Sequence, residues 1–105
     1  MKPEIVPVSF PESVEAGTPL QVTCLVTGGD EPLTLQWYKD NVPLHSTSDI
    51  LINQLTSRAS NVLISSADSH HTGLYTCQAF NPVASVEWKA NLTIKGFPFI
   101  ITLNL

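Results

Sequence analysis

Cys24 is followed thirteen residues later by Trp37, and Cys77 ends the run Gly73-Leu74-Tyr75-Thr76-Cys77. Two cysteines that meet across stacked sheets, an indole packed on their sulfurs and a tyrosine two residues before the second cysteine are the marks of a two-sheet β-sandwich. Each of these residues serves the interior. The pattern therefore defines a scaffold, and it points to a binding or adhesion module before it points to a catalyst.

The chain has 105 residues, enough for one domain with a two-layer core but small enough to gain from a covalent staple. A bridge from Cys24 to Cys77 would close a loop of about 54 residues and constrain the unfolded chain by roughly 4 kcal/mol on the chain-entropy account. Two cysteines in a β-rich chain of this size favour an oxidising compartment; two free buried thiols in a cytosolic protein are the alternative. The formal charge is -4, with only five Lys or Arg and no basic run, which argues against nucleic acid or an anionic membrane as partner. Met1-Lys2-Pro3-Glu4 leads into scattered apolar residues and not into a continuous apolar segment. It reads as a start codon on an excised domain, not as a signal peptide. The longest apolar stretch, Phe97 to Ile101, is broken by Pro98 and is far short of the roughly 20 residues that span a membrane.

Short alternating runs separated by turn residues predict an all-β fold. Ile5 to Phe10 reads as edge strand A, tolerant of Pro7, and Pro11 marks a switch to strand A′ on the other sheet. Strand B points Leu20, Val22 and Cys24 inward and Gln21, Thr23 and Leu25 outward. Strand C points Leu33, Leu35 and Trp37 inward, and Lys39 to Pro43 end it with turn chemistry. Strand D centres on Ile50-Leu51-Ile52. Inward positions are Val62 and Ile64 on strand E, Tyr75, Cys77 and Ala79 on strand F, and Ala90, Leu92 and Ile94 on strand G. The expected sheets are A-B-E-D and A′-G-F-C, an immunoglobulin-like sandwich of the intermediate set over residues 1–95. Residues 96–105 read as a linker, the start of a following domain or an added tail.

Three segments carry a closer resemblance: Ser13-Val14-Glu15-Ala16-Gly17-Thr18, Gly29-Asp30-Glu31-Pro32-Leu33 ahead of Trp37-Tyr38-Lys39-Asp40, and His71-Thr72-Gly73-Leu74-Tyr75-Thr76-Cys77-Gln78-Ala79-Phe80-Asn81. Across residues 4 to about 95 the chain resembles the Dscam family of arthropod cell-adhesion molecules, nearest to the variable N-terminal immunoglobulin domain of the short chelicerate forms. Most immunoglobulin domains have Asp where His71 stands, paired with an Arg near the start of strand D. Here the nearest Arg is Arg58, which His71 relieves of that pairing. The resemblance implies a disulfide between Cys24 and Cys77, an extracellular ectodomain of a single-pass membrane protein, and homophilic, isoform-specific recognition of a second copy in trans through an antiparallel, isologous contact.

Which face would meet the partner follows from alternation. Asn91-Leu92-Thr93 is an N-glycosylation sequon, and strand G points Asn91 outward on the G-F-C face, where a glycan would shield that sheet. The opposite face presents Gln21, Thr23, Leu25, Leu51, Asn61, Leu63 and Ser65, three of them leucines where solvated strands are polar. Exposed apolar residues rimmed by polar ones mark interaction surfaces. Asp49, Asn53 and Arg58 are the candidates for specificity between close isoforms.

Other chemistry finds little support. His70 and His71 are adjacent and are expected to point apart, and His45 has no carboxylate or Cys at ligand spacing, so neither a metal nor any cofactor is expected. There is no nucleophile elbow, phosphate loop or pair of carboxylates flanking a cleft, so the chain is not expected to be an enzyme. Two other readings remain: a heterophilic receptor or immune-recognition domain using Gly28–Pro32 and Asn81–Ser85 at the loop tips, and an intracellular structural domain of the muscle-scaffold kind. Trp88 is expected as a lid on one end of the core.

Overall fold

The structure, a computed structural model, describes residues 2–6, 10 and 13–95. The expectations placed on Pro7, on Pro11 and on residues 96–105 lie outside that range.

Period-two alternation buries Val22, Cys24 and Val26 along Leu20–Thr27 (β3), which pairs antiparallel with Ala59–Ile64 (β7). Glu4–Ile5 (β1) flanks β3, and Ile50–Thr56 (β6) flanks β7, giving the sheet β1-β3-β7-β6. This is the expected A-B-E-D sheet. The second sheet is built from Thr34–Lys39 (β4), Val42–Pro43 (β5), Gly73–Phe80 (β8) and Ser85–Leu92 (β9), in the order β5-β4-β8-β9. Val14–Glu15 (β2) runs parallel to Ile94–Lys95 (β10), so the start of the chain crosses to the last strand as the A′-G pairing requires. The immunoglobulin-like sandwich is thus present as expected.

One element departs from the sequence reading. Lys39 to Pro43 do not simply end strand C: Asp40 and Asn41 both take the left-handed region, with φ of 51° and 68°, and Val42–Pro43 folds back on Tyr38 and Lys39. Two consecutive left-handed residues are what a two-residue hairpin needs, and Asp and Asn tolerate them best after Gly. The sheet therefore gains one short strand at its edge.

The core forms around a disulfide between Cys24 and Cys77. Cys24, Cys77, Trp37 and Tyr75 are all buried, with Val22, Val62, Ile64 and Leu92 filling the space between the sheets. Trp37 lies opposite Cys77 on β8 and donates its indole N–H to Ser60 Oγ at 3.0 Å, while Ser60 lies opposite Cys24 on β3. A buried indole needs such an acceptor, and here it also ties one sheet to the other beside the sulfurs. Trp88 stands opposite Cys77 on β9 but at the rim, 38% exposed, next to Pro3 and Ile5. It is a partial cover and not a closed lid.

Between β3 and β4, Gly28 and Gly29 adopt φ of 70° and 79°. Arg58 reaches over from the β6–β7 turn and donates to Gly28 O at 2.6 Å and Gly29 O at 2.8 Å. A Cβ on Gly29 would sit 2.8 Å from Pro3 Cα. Gly29→Ala therefore combines left-handed strain with a backbone clash, and is expected to cost about 1 to 3 kcal/mol. Urea unfolding tests this, and an unchanged midpoint would refute it.

Candidate functional site

Strand register arranges the outward residues of the β1-β3-β7-β6 sheet in rows. Gln21, Leu63 and Leu51 stand side by side; Thr23, Asn61 and Asn53 form the next row; Leu25 and Ala59 form a third. Val6 extends the third row, its N–H bonded to Leu25 O at 2.9 Å. Leu25, Leu51 and Leu63 are 43%, 47% and 36% exposed, and Val6 is 40% exposed. No charged residue occurs in these rows, so two like copies meet no charge repulsion there.

Asn61 is the exception to the expected exposure. It faces outward but is buried, because its amide spans three acceptors: Gln21 Oε1 at 3.2 Å, Thr23 Oγ1 at 3.0 Å and Val22 O at 3.3 Å. Gln21 and Thr23 lie across from it and close over it. The three leucines consequently do not form one patch: an amide row separates Leu51 and Leu63 from Leu25 and Val6. Ser65 continues past Leu63 and lines a shallow depression of about 290 Å³ with Thr47, Asp49, Leu51 and Leu63.

Two of the three expected specificity residues have other work. Arg58 is committed to the Gly28 and Gly29 carbonyls, and only Asn53 projects from the face without a role in a turn. Asp49 is drawn into the corner before β8, where Ser69–His71 forms a single 3-10 turn capped by Asp68. His71 Nδ1 accepts the Asp68 backbone N–H at 2.9 Å, which fixes the proton of the neutral ring on Nε2. That N–H faces Asp49 Oδ2 at 2.9 Å, and His70 Nε2 reaches the same oxygen at 2.8 Å. Thr47 donates its hydroxyl to the other oxygen at 2.6 Å. The Thr47 bond, and then His70, hold the Asp49 carboxyl well below the usual carboxylate range. Below the turn, Tyr75 donates its hydroxyl to His71 O at 2.7 Å, and burial pushes that phenol's pKa up.

One sequence expectation is corrected here. His70 and His71 do not point apart: in a 3-10 turn adjacent rings can converge, and their centroids are 4.0 Å apart. Arg58 is free of residue 71, as expected, and His71 has Asp49 as its partner instead. The usual acid at the corner and base on the strand are exchanged, with the carboxylate supplied by Asp49. The three side chains are close enough to hold a metal ion, but His71 is turned the wrong way for one. A ligating imidazole donates its second N–H outward, whereas His71 Nδ1 already faces a donor.

On the opposite sheet, Asn91 is exposed and lies opposite Leu74. Among the described residues no helix is long and apolar enough to cross a membrane.

A disulfide-stapled two-sheet sandwich with this topology defines an immunoglobulin-type scaffold, and the family model "Immunoglobulin domain" matches residues 2–81. The chain belongs to the immunoglobulin domain family. It is 37% identical over 96 residues to cell adhesion molecule Dscam2 of Drosophila melanogaster, covering 91% of this chain and 5% of that protein. It is 34% identical over 103 residues to human cell adhesion molecule DSCAML1, covering 97% of this chain and 5% of that protein. The chain thus spans about one-twentieth of the length of these relatives. The solved Dscam1 Ig7 domain, isoform 5, superposes with a TM-score of 0.85 at 29% identity, over 89% of this chain and 96% of that one. Immunoglobulin domains of such adhesion molecules are a non-enzymatic family.

Proposed function

We propose that this chain is a cell-surface recognition module that binds a second copy of itself on an opposing cell through the β1-β3-β7-β6 face. The observation that carries this reading is the order of the rows: apolar, amide, apolar. A two-fold axis through the Asn61 row maps that order onto itself. The row of Leu51 and Leu63 in one copy then meets the row of Leu25 and Val6 in the other, and amide side chains, which both donate and accept, face their own kind. The relatives named as cell adhesion molecules, and Dscam1 Ig7 structures named by isoform, support the same reading. Asn53 is the residue best placed to discriminate between near copies, since the axis doubles any mismatch there.

The test is aggregation of beads displaying the whole chain, before and after Leu63→Glu. Each contact holds Leu63 twice, so aggregation is expected to need at least about tenfold more protein, the equivalent of ~1.4 kcal/mol. Retained folding is checked by the melting temperature. Aggregation indifferent to the change would reject this face, and none in the unmodified chain would reject self-recognition in favour of a different partner.

A further inference from the structure

The outer face of β5-β4-β8-β9 holds a shallow polar cleft of about 150 Å³ lined by Tyr38, Asn41, Thr76, Gln78 and Glu87. Tyr38 donates its hydroxyl to Gln78 Oε1 at 3.1 Å, leaving the Gln78 amide nitrogen and the Asn41 amide along the walls, beside a Glu87 carboxylate that Lys89 pairs at 3.6 Å. Thr76, at the floor, is 3% exposed, and its Oγ1 has no hydrogen-bond partner among the described residues. A buried hydroxyl without a partner is costly, of the kind usually matched by a ligand or water group. Neutral donors and acceptors dominate this lining, a combination suited to hydroxyls and N-acetyl groups and poorly suited to an apolar or strongly charged partner.

The occupant is supplied by the chain itself. Asn91 opens the sequon, is exposed, and stands opposite Leu74, two residues before Thr76 on β8. Diagonal neighbours across antiparallel strands are roughly 7 to 8 Å apart, and Tyr38 is one further strand away, opposite Thr76. That is the reach of the first sugars of an N-linked glycan laid over Leu74. We infer that Asn91 carries a glycan whose first sugars fold back onto this sheet and occupy the cleft between Tyr38 and Gln78. The inference needs the chain to be displayed outside the cell; it does not need self-association.

The whole chain, secreted from eukaryotic cells, is compared in three forms: fully glycosylated, trimmed enzymatically to one sugar, and Asn91→Gln. The glycosylated form is expected to melt roughly 4 to 8 °C above Asn91→Gln, with amide NMR shifts displaced at Leu74, Thr76 and Gln78. The one-sugar form is expected to keep the displacement at Leu74 and Thr76. Thr76→Val is expected to reduce the glycan's gain while leaving Asn91→Gln no less stable. An unoccupied Asn91 by mass spectrometry overturns the inference. So does an occupied one with shifts confined to residues beside Asn91 and an unchanged melting temperature, the signature of a glycan extended into solvent. The Leu63→Glu aggregation result is a separate readout and bears only on self-recognition.

Discussion

Replacing both cysteines, Cys24→Val with Cys77→Ala, is expected to lower the unfolding free energy by about 4 kcal/mol, the value that closing a loop of this length contributes on the chain-entropy account. Small domains hold only about 5 to 15 kcal/mol in total, so a large part of the native population is at stake. The melting temperature is expected to fall by roughly 16 to 32 °C. Some cross-sheet connection survives, because Trp37 still donates to Ser60 at the same level of the core. Urea unfolding of the variant gives the comparison. A loss under about 1 kcal/mol would mean that the unfolded chain is already compact enough to make the bridge redundant.

The second large effect lies at the corner. His71→Asp places a second carboxylate at a position only 1% exposed, against an Asp49 that is 36% exposed; losing the charge-assisted hydrogen bond and gaining a like charge is expected to cost about 2 to 3 kcal/mol, solvent around Asp49 keeping it below the value for a fully buried pair. Asp49→Arg alone removes the acceptor of the His70 and His71 bonds and also destabilises. Combining Asp49→Arg with His71→Asp restores an acid at the corner and a base on the strand, so the double variant is expected to recover at least half of the loss. Strict additivity of the two single losses would show that the side chains do not interact. The acid behaviour has a definite sign. Because the Asp49 carboxyl is held below its ordinary value, its contribution is complete above about pH 4 and declines below it. The Asn variant at position 49 should lack that decline.

Alternation made most of the interior readable. Cys24, Trp37, Val62, Ile64, Tyr75, Cys77, Ala79 and Leu92 are all inward and buried, because a strand with one face on the core leaves no choice of register. The same rule says which way a side chain points but not whether its neighbours close over it, and so Asn61 read as exposed when Gln21 and Thr23 cover it. It also has no force inside a 3-10 turn, where His70 and His71 converge on one oxygen. The pairing of that corner with Asp49 joins residues 22 apart, beyond the reach of local spacing. Asp40-Asn41 was legible as a turn but not as a hairpin, since the returning strand is only Val42–Pro43.

The parallel pairing of β2 with β10 has a mechanical consequence. Val14 N–H bonds Thr93 O and Ala16 N–H bonds Lys95 O, joining an early and a late segment that run in the same direction. Tension applied at the two ends of the chain slides these segments past each other, so both bonds bear the load together and neither is peeled open first. A pull on the two ends of this domain is therefore met in shear.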